Sequence, residues 1–61
     1  MAQFELDKNA RGEYIWRLRA NNGRIVADSA ESYHNRADCE SGINIVKREA
    51  PMAPIQDLTA R

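Results

Sequence analysis

Two side chains of reactive type occur once each in this chain, His34 and Cys39. One His and one Cys cannot complete a four-ligand zinc site, and one Cys cannot form an internal disulfide. Cys39 stands near the start of a helix-patterned segment, where the helix dipole and Arg36 would favour a thiolate. Asp38 and Glu40 flank it and oppose that shift, and it lies on an apolar stripe. It therefore reads as a small core residue, since free Cys is among the most buried types. His34 has no second ligand within helical reach and no adjacent Ser, so it reads as a polar loop residue or cap.

A second chemistry is nucleic-acid binding, with Tyr14 and Trp16 stacking bases and Arg11, Arg17, Arg19 and Arg24 holding phosphates. Strand alternation argues against it. Trp16 and Tyr14 project from one face of their strand and Arg17 and Arg19 from the other, whereas a stacking platform needs them together. Asp28, Glu31, Asp38 and Glu40 include no pair that the sequence sets across a pocket, so acid–base catalysis has no support. Three isolated Gly residues make no phosphate-binding loop. No catalytic residue, metal or cofactor is implied.

The elements that position these residues follow from periodicity. Ala2, Phe4 and Leu6 alternate with Gln3, Glu5 and Asp7, which predicts a half-buried strand over 2–7. Lys8 to Gly12 reads as a loop. Tyr14 to Ala20 forms a second strand, with Tyr14, Trp16, Leu18 and Ala20 on one face and Ile15, Arg17 and Arg19 on the other. Asn22-Gly23 predicts a two-residue type I′ turn, and Ile25 to Ser29 a third strand. That turn sets Ala20 opposite Ile25, Arg19 opposite Val26, Leu18 opposite Ala27 and Arg17 opposite Asp28. Matching hydrophobic faces in the first hairpin sets Leu6 opposite Trp16, Phe4 opposite Leu18 and Glu5 opposite Arg17. Arg17 is thus expected to bridge Glu5 and Asp28 on the central strand. Phe4, Leu6, Trp16, Leu18 and Ile25 form the face to be covered.

A helix follows, with Asn35 as its N-cap and Asp38 in its first turn. Cys39, Gly42, Ile43, Val46 and Ala50 recur at helical spacing, and Pro51 ends the helix. Gly42 inside that stripe predicts a close approach to the sheet. The tail, residues 52–61, has Ile55 and Leu58 as apolar anchors and reads as a short strand or a docked tail.

Sixty-one residues make one small domain, taken here as residues 1–61. A chain of this size buries only about 60% of its unfolded surface, so a partner subunit is a plausible helper. Nine Lys+Arg balance nine Asp+Glu, a poor start for a nucleic-acid binder. Residues 11–24 carry a charge of +3 and residues 25–42 carry −3. The two segments are expected to neutralise one another in the fold. No apolar run is long enough to span a membrane, and the N-terminus lacks the apolar stretch of a signal peptide. A lone Cys fits a reducing compartment, so the cytoplasm is the expected location.

Taken together, these residues resemble the YegP-like small domains of unknown function. The matching residues are Phe4; Gly12, Tyr14, Trp16, Arg17 and Leu18; Asn22, Gly23, Ile25 and Ala27; Ser29 and Tyr33; Cys39, Gly42, Ile43, Val46, Lys47 and Ala50; and Asp57, Leu58 and Thr59. One departure is Ser32, where the family commonly has Gly before the Tyr. The resemblance implies a three-stranded sheet with a packed helix. Many members carry two tandem copies, so a single copy implies a homodimer. No catalytic residues come with the family.

The fold expected is therefore α+β: a three-stranded antiparallel meander, one helix on its Trp16 face, and a short C-terminal strand or tail. The expected function is a homodimeric, non-enzymatic interaction module, with a weak nucleic-acid-binding module as the alternative. Ile15, Arg17, Val26, Ile55 and Leu58 are the candidate interface residues. The sequence identifies no partner other than a second copy, and no membrane.

Overall fold

The computed structural model describes residues 1–60 of the chain. Three antiparallel strands form one open sheet in the order β1-β2-β3: β1 Gln3–Lys8, β2 Tyr14–Arg19 and β3 Ile25–Asp28. A single helix, α1, spans Arg36–Glu49 and runs into a 3₁₀ turn at Ala50–Met52. Pro51 lies in that turn, where its missing N–H stops the α-helical ladder. The protein has the expected α+β class. Among the described residues, no helix is long and apolar enough to cross a membrane.

The first hairpin has the register that the alternation requires, with Phe4 opposite Leu18, Glu5 opposite Arg17 and Leu6 opposite Trp16. A one-residue slip would turn the Phe4–Leu6 face to water, which is why this register is strongly specified. The second hairpin departs from expectation near its turn. Arg17 still faces Asp28 and Leu18 faces Ala27, but Arg19 faces Ile25 instead of Val26.

The cause is the turn type. Gly23 donates to the Ala20 carbonyl at 2.9 Å and Ala20 donates to the Arg24 carbonyl at 2.7 Å, closing a three-residue loop. Gly23 has φ +87°, and Asn22 has no positive φ. This is a type I turn followed by a left-handed Gly, not a type I′ turn. Asn22 contributes through its side chain, its Oδ1 accepting from the Arg24 N–H at 3.0 Å. Val26 becomes the extra residue of a bulge, and Ile25 moves to the Arg17–Arg19 face of the sheet. Ile25 is therefore not part of the helix-covered face.

The helix packs on β1 and β2 and leaves β3 uncovered. Among the described residues only Trp16 (7% exposed) and Cys39 (0%) are buried. Phe4 meets Trp16 edge to face, with ring centroids 5.6 Å apart. Gly42 makes the close approach that its place in the stripe predicts. A Cβ there would lie 2.8 Å from Tyr33 Oη and 3.3 Å from Trp16 Nε1. Asn35 has the extended backbone of an N-cap, but its side chain makes no capping bond to a helix N–H. Its Nδ2 instead donates to Asp38 Oδ2 at 3.3 Å.

The tail forms neither a strand nor a docked segment within this chain. Over residues 53–60 the backbone forms no helix or strand, and Ile55 and Leu58 are 96% and 51% exposed. Its local order comes from Asp57, whose Oδ1 accepts from the Thr59 N–H and hydroxyl.

Candidate interaction surface

The sheet face away from the helix collects the charged residues of β1 and β2. Arg17 Nε donates to Glu5 Oε1 at 2.7 Å, and its Nη2 donates to Asp7 Oδ2 at 2.8 Å. Arg19 Nε reaches the other oxygen of Glu5 at 3.1 Å, and its Nη1 donates to the Gly23 carbonyl at 2.8 Å. Bonds from Arg19 and Arg17 hold the Glu5 carboxyl down at about 2. Asp7 is lowered by Arg17 and by the Lys8 N–H, and the two carboxylates raise Arg17 in turn.

Arg17 thus bridges Glu5 and Asp7, not Glu5 and Asp28. Asp28 is engaged elsewhere, its Oδ1 accepting from the Ala30 N–H at 2.9 Å. Of the +3 segment, Arg17 and Arg19 are paired with β1 carboxylates and not with residues 25–42, while Arg11 and Arg24 form no ion pair among the described residues. Among the described residues, Asp28 and Glu31 form no ion pair.

Beyond β3 the chain stays on the β2 edge at two points. Ser29 donates to the Trp16 carbonyl at 2.9 Å, and Tyr14 and Tyr33 exchange two backbone bonds of 2.8 Å. Residues 30–32 bow outward between these anchors, opposite Ile15. Ala30 adopts φ +60°, and the Ser29 hydroxyl donates to the Glu31 carbonyl at 2.7 Å. Ser32, the position at which the resemblance implies a Gly, has no left-handed backbone; that conformation falls on Ala30. Inside the bow lies a groove of about 540 Å³, lined among others by Ile15, Arg17, Ile25, Asp28, Glu31 and Ser32.

At the end of the sheet, Glu13 accepts from the Ser32 hydroxyl at 2.6 Å, and His34 Nδ1 stands 3.6 Å from its other oxygen. Ser and His both address the carboxylate here. A relay needs the imidazole between hydroxyl and carboxylate, so this arrangement does not activate Ser32. The Ser32 hydroxyl lowers the Glu13 carboxyl. Cys39, a residue of α1, is fully enclosed, and burial pushes its thiol up, with Glu40 adding to the effect. A protonated, enclosed thiol is a poor nucleophile.

The candidate interface residues fall into three groups. Ile15 and Arg17 line the groove. Val26, 61% exposed, sits on β3 beside Ile25 at 54%, and all four residues of that strand are exposed. Ile55 and Leu58 project from the tail. The four arginines of the nucleic-acid reading are not assembled. Arg11 and Arg24 flank opposite ends of β2, about 20 Å apart by strand rise, and Arg17 and Arg19 are held by carboxylates. Trp16 is buried on the other face. Ile25 joins the charged face unforeseen, and Asp7, expected on that face, is unforeseen as a partner of Arg17. For Asp7 the signal was present, since it shares the period of Glu5 one pair further along β1.

The profile of the DUF1508 family, a domain of unknown function, matches residues 9–57. A UPF0339 protein of Methanosarcina acetivorans is 44% identical over 55 residues, covering 90% of this chain and 93% of that protein. The UPF0339 protein YegP of Yersinia pestis is 35% identical over 51 residues, which cover 84% of this chain but 45% of YegP. Among solved structures, a protein from Haloferax volcanii studied by NMR in solution is similar with a TM-score of 0.83 and 43% identity. The match covers 92% of this chain and 93% of that one.

Proposed function

For this chain, which belongs to the DUF1508 family of domains of unknown function, we propose the role of a non-enzymatic interaction module that acts as a homodimer. The observation that carries the reading is apolar surface left uncovered by the chain's own fold. The helix covers β1 and β2 only, while Ile25 and Val26 on β3 and Ile55 in the tail are more than half exposed and Leu58 is 51% exposed. Two buried side chains among the described residues are a small core for a domain of this length. A second copy would cover β3 and receive the tail, in an isologous contact that uses the same patch on both chains. β3 is an edge strand of the sheet, and an open strand edge is what strand addition by a second chain covers. Ile15 and Arg17 border that contact.

Two further points support the reading. A relative of which the matched segment covers 45%, alongside relatives covered almost completely, is what a family of single and paired copies would contain. Arg17 and Arg19 are neutralised by carboxylates, which favours a protein partner over nucleic acid. The single free thiol suits a reducing compartment, so we place the module in the cytoplasm.

The test is association after local change. Deleting residues 54–61, or replacing Val26 with Asp, is expected to weaken self-association while the helix signal in circular dichroism persists. Melting of the unaltered chain should rise with protein concentration. Melting independent of concentration, with both variants indistinguishable from the parent in mass, would defeat the proposal.

A further inference from the structure

The groove opposite the helix shares Ile15, Arg17 and Ile25 with the dimer reading, but that reading makes no use of its two carboxylates, Asp28 and Glu31. Its lining includes the apolar Ile15 and Ile25 and the carboxylates of Asp28 and Glu31. Arg17 is the guanidinium among the lining residues, and it is already bonded to Glu5 and Asp7. Asp28 has one oxygen on the Ala30 N–H, and neither Asp28 nor Glu31 has a cationic partner among the described residues. The segment that carries −3 in the sequence thus keeps part of its charge unbalanced here, in a lining that is partly apolar. The bow at 30–32 is pinned on both sides by backbone bonds of Ser29 and Tyr33 to β2, which fixes that wall of the groove.

We propose that this groove docks a basic side chain carried on an extended segment of a second protein. The alkyl stem of a Lys or Arg would lie along Ile15 and Ile25, and its cation would meet Asp28 and Glu31. Long basic side chains suit such a site because their stem is apolar and their tip is charged. An acidic segment is disfavoured by the same two carboxylates. Charge complementarity selects the occupant, and the groove volume, about 540 Å³, is within the range of sites that accept side chains or small ligands.

The experiment uses the full chain labelled with ¹⁵N. It is titrated at low salt with a short peptide of alternating lysine and valine, and separately with a glutamate–valine peptide. Saturable shifts of the Ile15, Ile25 and 28–32 amides with the lysine peptide alone, weakening at high salt, are the expected result. A Asp28→Asn, Glu31→Gln double variant keeps the Asp28 acceptor for Ala30 and should bind about three- to tenfold more weakly. Absent shifts, equal shifts with the acidic peptide, or undiminished binding by the double variant would overturn the proposal. So would shifts at these residues that follow protein concentration and resist displacement by the peptide, for then a second copy fills the groove. A chain that stays monomeric and still binds the lysine peptide would remove the dimer reading and leave this one standing.

Discussion

Replacing Gly42 with Ala probes the contact between helix and sheet. In a helix interior, Ala is better than Gly by about 1 kcal/mol, so an unconstrained site would gain stability. At Gly42 the new methyl would lie 2.8 Å from Tyr33 Oη and 3.3 Å from Trp16 Nε1. Both are short of the roughly 3.5 Å of an ordinary contact. Two bonds of 2.8 Å hold the Tyr33 backbone to Tyr14, so relief has to come from tilting the Tyr33 ring. Trp16 is 7% exposed and packed against Phe4. Overpacking of this kind costs about 1–3 kcal/mol, so Gly42→Ala should destabilise by about 1 kcal/mol net. Tyr33→Phe removes the nearest atom. In that background the remaining approaches are 3.3 and 3.4 Å, and Ala should be neutral or stabilising. Urea unfolding of the four proteins at one fixed concentration, followed by Trp16 fluorescence, gives the coupling directly. If Gly42→Ala stabilises both backgrounds equally, the close approach is not the reason for the glycine.

Trp16→Ala should cost about 3–5 kcal/mol and unfold the domain; a variant with the parent's melting curve would contradict the assigned core. Acid should destabilise the chain as pH falls from the ordinary Glu5 value of 4.5 towards about 2. The unfolded chain takes up the Glu5 proton first, so stability is present above that window and lost through it. Glu5→Gln should flatten this acid limb in a pH series of melts, and an unchanged limb would remove Glu5 as its source. Ala30→Gly relieves a left-handed Ala worth about 1–2 kcal/mol of strain, against roughly 0.4–1 kcal/mol of added chain entropy. A small rise in thermal stability is expected, and a fall would show that Ala30 is not strained.

Where a buried face constrained a strand, the sequence was readable. The Phe4–Leu18 and Leu6–Trp16 pairs follow from two matched alternations, and the helix stripe through Cys39 and Gly42 from its spacing. The second hairpin was readable only in part. Asn-Gly admits both a type I′ turn and a type I turn with a left-handed Gly, and the second is the one in which Asn22 Oδ1 accepts from the Arg24 N–H. That choice moves Ile25 across the sheet and into the lining of the groove. Register also says which residues are opposite, not which are bonded. Arg17 is long enough to reach diagonally to Asp7, while Asp28 turns to the Ala30 N–H. The bow at 30–32 carries neither Gly nor Pro, so no residue type announced its left-handed turn.

The central claim is that two copies complete what one chain leaves exposed at Ile25, Val26, Ile55 and Leu58. Sedimentation equilibrium of the full chain at micromolar concentration tests it most directly. The account predicts the mass of two chains, shifting toward one on dilution or on deletion of residues 54–61. The mass of a single chain across the whole concentration range would contradict it.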